Sequence, residues 1–229
     1  MSVKYFIYTV SGMLSAFLFF AHPVYAGGVG LGSTRLIYPA SAKQISVPVR
    51  NTDASGAFLL QSWVETVDGD KTDDFLITPP LNVIKPKHEN VLRIIQTGAT
   101  LPVDRESVYW LTVKAIPTTH DKKDQNDNVL QLASASRIKL FWRPDNLDIK
   151  PDAAPSMLSA TRTNGGVLLS NASPYYLSLV NIQSGSKTLS PVMVPPKSSI
   201  TLNAISGNSL SFQTVNDYGA RTKTQVLTW

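Results

Sequence analysis

No stretch of this chain after Gly27 keeps a helical period, and that absence constrains the fold more than any other feature. What stands there instead is a series of short alternating or β-branched runs between turn signals. Seven strands are predicted in the first part: Ser33 to Tyr38, Ser46 to Asn51, Phe58 to Val67, Phe75 to Thr78, Val91 to Gln96, Val108 to Ile116 and Val129 to Trp142. The breakers between them have identifiable chemistry, in Asn51-Thr52-Asp53, Asp68-Gly69-Asp70, Pro79-Pro80, Lys85-Pro86-Lys87 and the polar run Thr118 to Asn128. Short strands at this spacing predict an all-β sandwich.

The texture changes after Trp142. Pro144, Pro151 and Pro155 stiffen a short connection, and a second strand series follows: Leu158 to Thr163, Gly166 to Ser170, Leu177 to Ile182, Ile200 to Leu202, Ser209 to Thr214 and Thr222 to Leu227. This predicts a second, smaller sandwich over 146–229 beside a first over 27–145. No internal repeat between the halves is evident in the sequence. Residues 1–26 read as a cleaved signal peptide, with Lys4 before an apolar stretch and Val24-Tyr25-Ala26 at the cleavage site. A membrane anchor fits less well, because Ser11, Gly12, Ser15 and Pro23 interrupt a run already short for a bilayer.

Removing 26 of the 229 residues leaves 203, with no cysteine, so neither disulfides nor thiol chemistry is available. The small cationic surplus is not interleaved with aromatics as a nucleic-acid footprint would be. His88 and His120 lie in polar turns without partners at metal-ligand spacing. The acidic runs Asp68 to Asp74 and Asp121 to Asp127 lack the ligand spacing of a calcium loop and read as solvated. No phosphate loop, dinucleotide fingerprint or nucleophile elbow occurs, so no enzyme activity, cofactor or metal is predicted.

The segment Asn128 to Pro144, NVLQLASASRIKLFWRP, begins apolar and ends in cations. Leu130, Leu132, Ile138 and Leu140 share one parity, interrupted by Ser134 and Ser136, while Val129, Ala133, Ala135 and Phe141 are placed to fill a core behind them. At a sheet edge such a strand is a template for another chain's strand. Arg35 and Lys139 are cations inside strand patterns. Each alone reads as a snorkelling surface residue, and together they suit one anion. Glu106, Arg143 and Asp217 form a second charged set, for which three unrelated surface charges is the plain alternative.

The segments GVGLGSTRLIYPA (28–40), LLQSWVETVDG (59–69), ITPPL (77–81), LPVDRESVYWLTVKAIP (101–117), NVLQLASASRIKLFWRP (128–144), NASPYYLSL (171–179) and NDYGA (216–220) together resemble the periplasmic pilus chaperones of the chaperone-usher pathway. Within that family the chain is most similar to the type 1 fimbrial, short-loop branch. The resemblance implies two immunoglobulin-like β-sandwich domains in a boomerang arrangement. It also implies a non-enzymatic periplasmic chaperone that binds fimbrial subunits (pilins) by donor-strand complementation and delivers them to an outer-membrane usher. By resemblance, Arg35 and Lys139 anchor the pilin C-terminal carboxylate, and Leu130, Leu132, Ser134 and Ile138 belong to the donor strand. Glu106, Arg143 and Asp217 are implied to form an interdomain salt bridge, and a cis bond is implied at Pro79-Pro80.

Two departures stand out. Ser134 takes the place of a bulky donor, and Thr112 stands where the family commonly has Asn. Lys139 also falls on the opposite parity from Leu130 and Leu132, so a twist or bulge is expected if both serve one partner. An open strand of this kind would also permit self-association without a client. The competing reading is a secreted adhesin or carbohydrate-binding sandwich, which calls for loop aromatics, whereas Trp63, Trp110 and Trp142 lie in strand patterns.

Overall fold

The computed structural model describes residues 27–98, 100–118, 131–203 and 205–229. The first sandwich is built from β1 (Val29–Leu31), β2 (Arg35–Pro39), β3 (Ile45–Asn51), β4 (Phe58–Glu65), β5 (Phe75–Thr78), β6 (Leu81–Ile84), β7 (Glu89–Gln96), β8 (Ser107–Pro117) and β9 (Ser134–Arg143). One sheet has the order β1-β3-β7-β5 and the other β2-β9-β8-β4-β6. Alternation supplies the core between them. Val47 and Val49 of β3, Leu92 and Ile94 of β7, Leu111 and Val113 of β8 and Leu140 of β9 all point inward and are buried.

A 3-10 turn, Pro151–Met157, leads into the second sandwich: β10 (Leu158–Thr163), β11 (Gly166–Asn171), β12 (Leu177–Ser184), β13 (Lys187–Leu189), β14 (Val192–Val194), β15 (Ser198–Leu202), β16 (Ser209–Thr214) and β17 (Gln225–Thr228). Its sheets run β10-β11-β15 and β13-β12-β16-β17, with β14 also on β12. Leu169, Leu179, Ile182, Leu210 and Phe212 form a separate core. Among the described residues no helix is long and apolar enough to cross a membrane.

Strands β1, β6, β13 and β14, each three or four residues long, are absent from the sequence reading. In β6 the run is squeezed between Pro80 and Lys85-Pro86. The cis peptide precedes Pro79, at Thr78-Pro79.

The two sandwiches share devices that the sequence comparison of the halves missed. Asn51 and Asn171 each close a strand, accept from the N–H two residues on (Asp53 and Ser173, both 3.0 Å), and donate to a carbonyl ahead of a left-handed lysine. Those lysines, Lys87 and Lys197, have φ of 58 and 49°. The repeat is one of backbone geometry and buried polar groups, so only two or three residues per device need to match.

Candidate functional site

Strand β9 positions most of the site. On one flank β8 pairs with it from Ser134 through Trp142 with no break in register. On the other flank β2 runs parallel and pairs only from Lys139 through Arg143. The backbone from Ser134 to Ile138 therefore has no strand partner on that side among the described residues, and it forms an open edge.

The core takes the even-numbered face of β9. Leu140 and Trp142 are buried, and Ile138 packs against the same cluster. This corrects the sequence reading, which put Phe141 in the core behind the strand. Ala133 and Ala135 are exposed, and Phe141 lies against Tyr176 of the second sandwich, ring centroids 6.1 Å apart. Both faces of this strand end are apolar, so alternation could not say which one the core would claim. Ile138 turns toward the chain's own core. Leu132 is 73% exposed and Ser134 is exposed, while Leu130 lies outside the described residues.

Lys139, Phe141 and Arg143 share the odd face, which turns toward the second sandwich. Arg35 opens β2 directly beside Lys139. The second sandwich holds both cations. Arg35 Nη1 donates to the Val215 carbonyl at 2.9 Å, and Lys139 Nζ donates to Ser178 Oγ at 3.1 Å. Burial lowers the pKa of each, and for Lys139 the neighbouring Arg35 charge adds to the effect. Among the described residues neither cation has a carboxylate within ion-pair distance. Two adjacent, partly desolvated cations without a direct ion pair favour an incoming anion.

One turn of chain further, Arg143 joins the two sandwiches. Its Nε donates to Glu106 Oε1 at 2.7 Å, and its two terminal nitrogens fork onto Asp217 at 2.7 and 2.8 Å. Glu106 is only 3% exposed, and its other oxygen accepts from the Tyr176 N–H at 2.8 Å. Burial raises the Glu106 pKa against the opposing pull of Arg143. Burial alone would lower that of Arg143, but its bonds to Asp217 and Glu106 outweigh it and raise the value. A cleft of about 330 Å³ opens here, lined by Arg35, Glu106, Phe141, Arg143, Tyr176 and Asp217 among others.

Several contacts escaped the sequence reading. Ser178 and the Val215 carbonyl are two. A second tie between the sandwiches is another, with Lys197 Nζ on Asp104 Oδ2 at 2.8 Å and the Glu106 N–H on the Pro174 carbonyl at 2.9 Å. Two cations lie over the Trp110 ring, Arg137 at 4.5 Å and Lys139 at 5.8 Å from its centroid. Arg137 also pairs with Glu65 at 2.8 Å, and Glu65 Oε2 accepts from Thr112 at 3.3 Å, so Thr112 serves a local network. No short motif signals contacts between residues so distant in sequence.

Comparison with known proteins decides the family. Residues 28–148 match the description "Pili and flagellar-assembly chaperone, PapD N-terminal domain", and residues 153–226 match "Pili assembly chaperone PapD, C-terminal domain". The chain belongs to the pilus-assembly chaperone family. The chaperone is 46% identical over 216 residues to chaperone protein FocC of Escherichia coli, covering 92% of this chain and 95% of FocC. Its fold matches the crystal structure of the periplasmic chaperone SfaE with a TM-score of 0.78 at 43% identity, over 88% of this chain and all of SfaE. It also matches the SafB chaperone, solved in complex with the Salmonella enterica SafA pilin, with a TM-score of 0.80 at 28% identity, over 90% and 99% of the two chains. The family is non-enzymatic and all-β with two sandwich domains, and its assignment sets aside the adhesin reading.

Proposed function

We propose that this chaperone receives fimbrial subunits in the periplasm, caps them by lending strand β9, and releases them at an outer-membrane usher. The observation that carries the reading is the pair Arg35 and Lys139, two partly buried cations without an ion-pair partner among the described residues, at the point where the open edge of β9 begins. A subunit's terminal carboxylate would bind between them, and its last strand would pair with the edge from Ile138 back toward Ser134. Leu130 and Leu132 would enter the groove of a subunit that lacks its final strand. The β8–β9 register is unbroken from Ser134 to Trp142, so Ser134 and Lys139 fall on opposite faces of the strand, and one partner would have to grip the edge from both sides. The Glu106–Arg143–Asp217 network would fix the domains so that Val215 and Ser178 stay behind the cations. In this reading residues 1–26 are removed on export and the domains divide at Asp145 and Asn146.

Co-expression with a fimbrial subunit tests the anchor. Replacing Arg35 or Lys139 by Ala removes charge-assisted hydrogen bonds, so subunit recovery from the periplasm should fall about tenfold or more. Normal recovery with both variants would sink the carboxylate-anchor reading. Ser134 yields a narrower prediction. If its clients have a shallow pocket at this position, Ser134→Leu should leave subunit affinity unchanged or lower it, and a clear gain measured by calorimetry would refute the matched-pocket idea.

A further inference from the structure

The hairpin turn between Asn216 and Ala220 is closed by the Asn216 N–H on the Ala220 carbonyl at 2.9 Å and the Gly219 N–H on the Asn216 carbonyl at 2.9 Å. The first sandwich builds the same turn between Thr66 and Asp70, with matching bonds of 2.8 and 3.1 Å. Its glycine, Gly69, has φ +96° where Gly219 has +80°. The positions whose side chains the shared backbone bonds leave unused are Val67 and Asp68 in one turn and Asp217 and Tyr218 in the other. Asp217 is taken by Arg143. Tyr218 is 94% exposed, with no ring contact and no hydroxyl hydrogen bond among the described residues. Asp68 at the equivalent place shows that the turn itself does not need an aromatic residue.

The Tyr218 backbone is nonetheless firmly placed. Asn216 Oδ1 accepts from the Tyr218 and Ala220 N–H groups at 3.1 and 2.9 Å. Gly219 packs so closely on Thr34 that a Cβ there would lie 2.1 Å from the threonine hydroxyl oxygen. The preceding Val215 carbonyl holds Arg35. A large amphipathic ring on a pinned backbone beside the cation pair has little conformational entropy to lose when it meets a partner.

We propose that Tyr218 is a client-contact residue, whose ring packs on an apolar side chain among the last residues of a subunit whose carboxylate lies between Arg35 and Lys139. The proposal rests on the carboxylate-anchor reading. The turn is tied to Arg35 through the Val215 carbonyl and to Thr34 through Gly219, and a strand advances about 3.3 Å per residue, so a chain end fixed at Arg35 would bring its final few residues to Tyr218. The test is calorimetric binding of a strand-forming peptide alternating valine and threonine, made with a free terminal carboxylate or with a terminal amide. Wild type should prefer the acid, Tyr218→Ala should weaken acid binding about tenfold, and Tyr218→Phe should stay within a factor of about two, since the ring and not the hydroxyl makes the contact. The melting temperature of Tyr218→Ala should not change. Wild-type affinity in Tyr218→Ala with the acid preference intact would overturn the role of Tyr218 and leave the anchor standing. Equal binding of acid and amide by wild type would overturn the anchor reading itself.

Discussion

Replacing Arg143 by Ala is expected to destabilise the chaperone by about 3–5 kcal/mol near neutral pH, because it strands a buried carboxylate. Glu106 would keep its bond from the Tyr176 N–H but lose its ion pair with Arg143, and Asp217 would lose both of its bonds from the guanidinium. The pH dependence has a definite sign. Burial already raises the folded-state pKa of Glu106 above its ordinary 4.5, with Arg143 opposing the shift. A carboxyl raised on folding contributes stability that is fully present below its unfolded value and is lost as pH rises through the folded value. Without Arg143 the folded value moves higher still. The deficit of Arg143→Ala relative to wild type should therefore be largest near neutral pH and shrink on acidification toward about pH 4. Urea melts at the two pH values measure it, and a deficit that is constant or grows in acid would show that Glu106 is not the stranded group. Glu106→Gln should cost less, since its one amide oxygen still accepts from either Tyr176 or Arg143, Arg143 keeps Asp217, and no buried charge is left unpaired.

Asn171→Ala should cost about 3 kcal/mol or more, from loss of several buried hydrogen bonds at once. The Asn171 amide donates to the carbonyls of Tyr175 and Pro195 at 2.7 and 3.0 Å, and its oxygen accepts from the Ser173 N–H and hydroxyl at 3.0 and 2.7 Å. Alanine leaves these groups away from water. The equivalent Asn51 donates to Gly56 and Lys85 carbonyls at 2.7 and 3.0 Å, in a loop where Lys85 is exposed and water can substitute. Asn51→Ala should therefore cost less than Asn171→Ala. Denaturant midpoints of the two variants give the order, and the reverse order would refute solvent access as the deciding factor.

Much of this architecture was legible in the sequence, for reasons that particular elements make plain. Strands β5, β10 and β16 match their predicted bounds, since alternating apolar residues between strong breakers leave the backbone few choices. Alternation also put Lys139 and Arg143 on one face. The strands at β1 and β6 were not legible: unlike the equally short β5, FLIT, each carries a glycine or an asparagine within its three or four residues. The cationic residues of the site stood out as charges in strand patterns, whereas Ser178 and the Val215 carbonyl carry no such signal.

Period-two patterning, read from the sequence alone, determined which side chains of β9 lie together, and its breakers marked out the two strand series. Only the tertiary structure decided which face of β9 the core would take, since Leu140 and Phe141 are both apolar and packing against the opposite sheet breaks the tie. It alone brought Val215 to Arg35 and Ser178 to Lys139, pairs separated by 180 and 39 residues. It alone left the flank of Ser134 to Ile138 without a strand partner among the described residues, because where the β2 pairing begins is set by the register of a parallel pair and not by any residue of β9 itself.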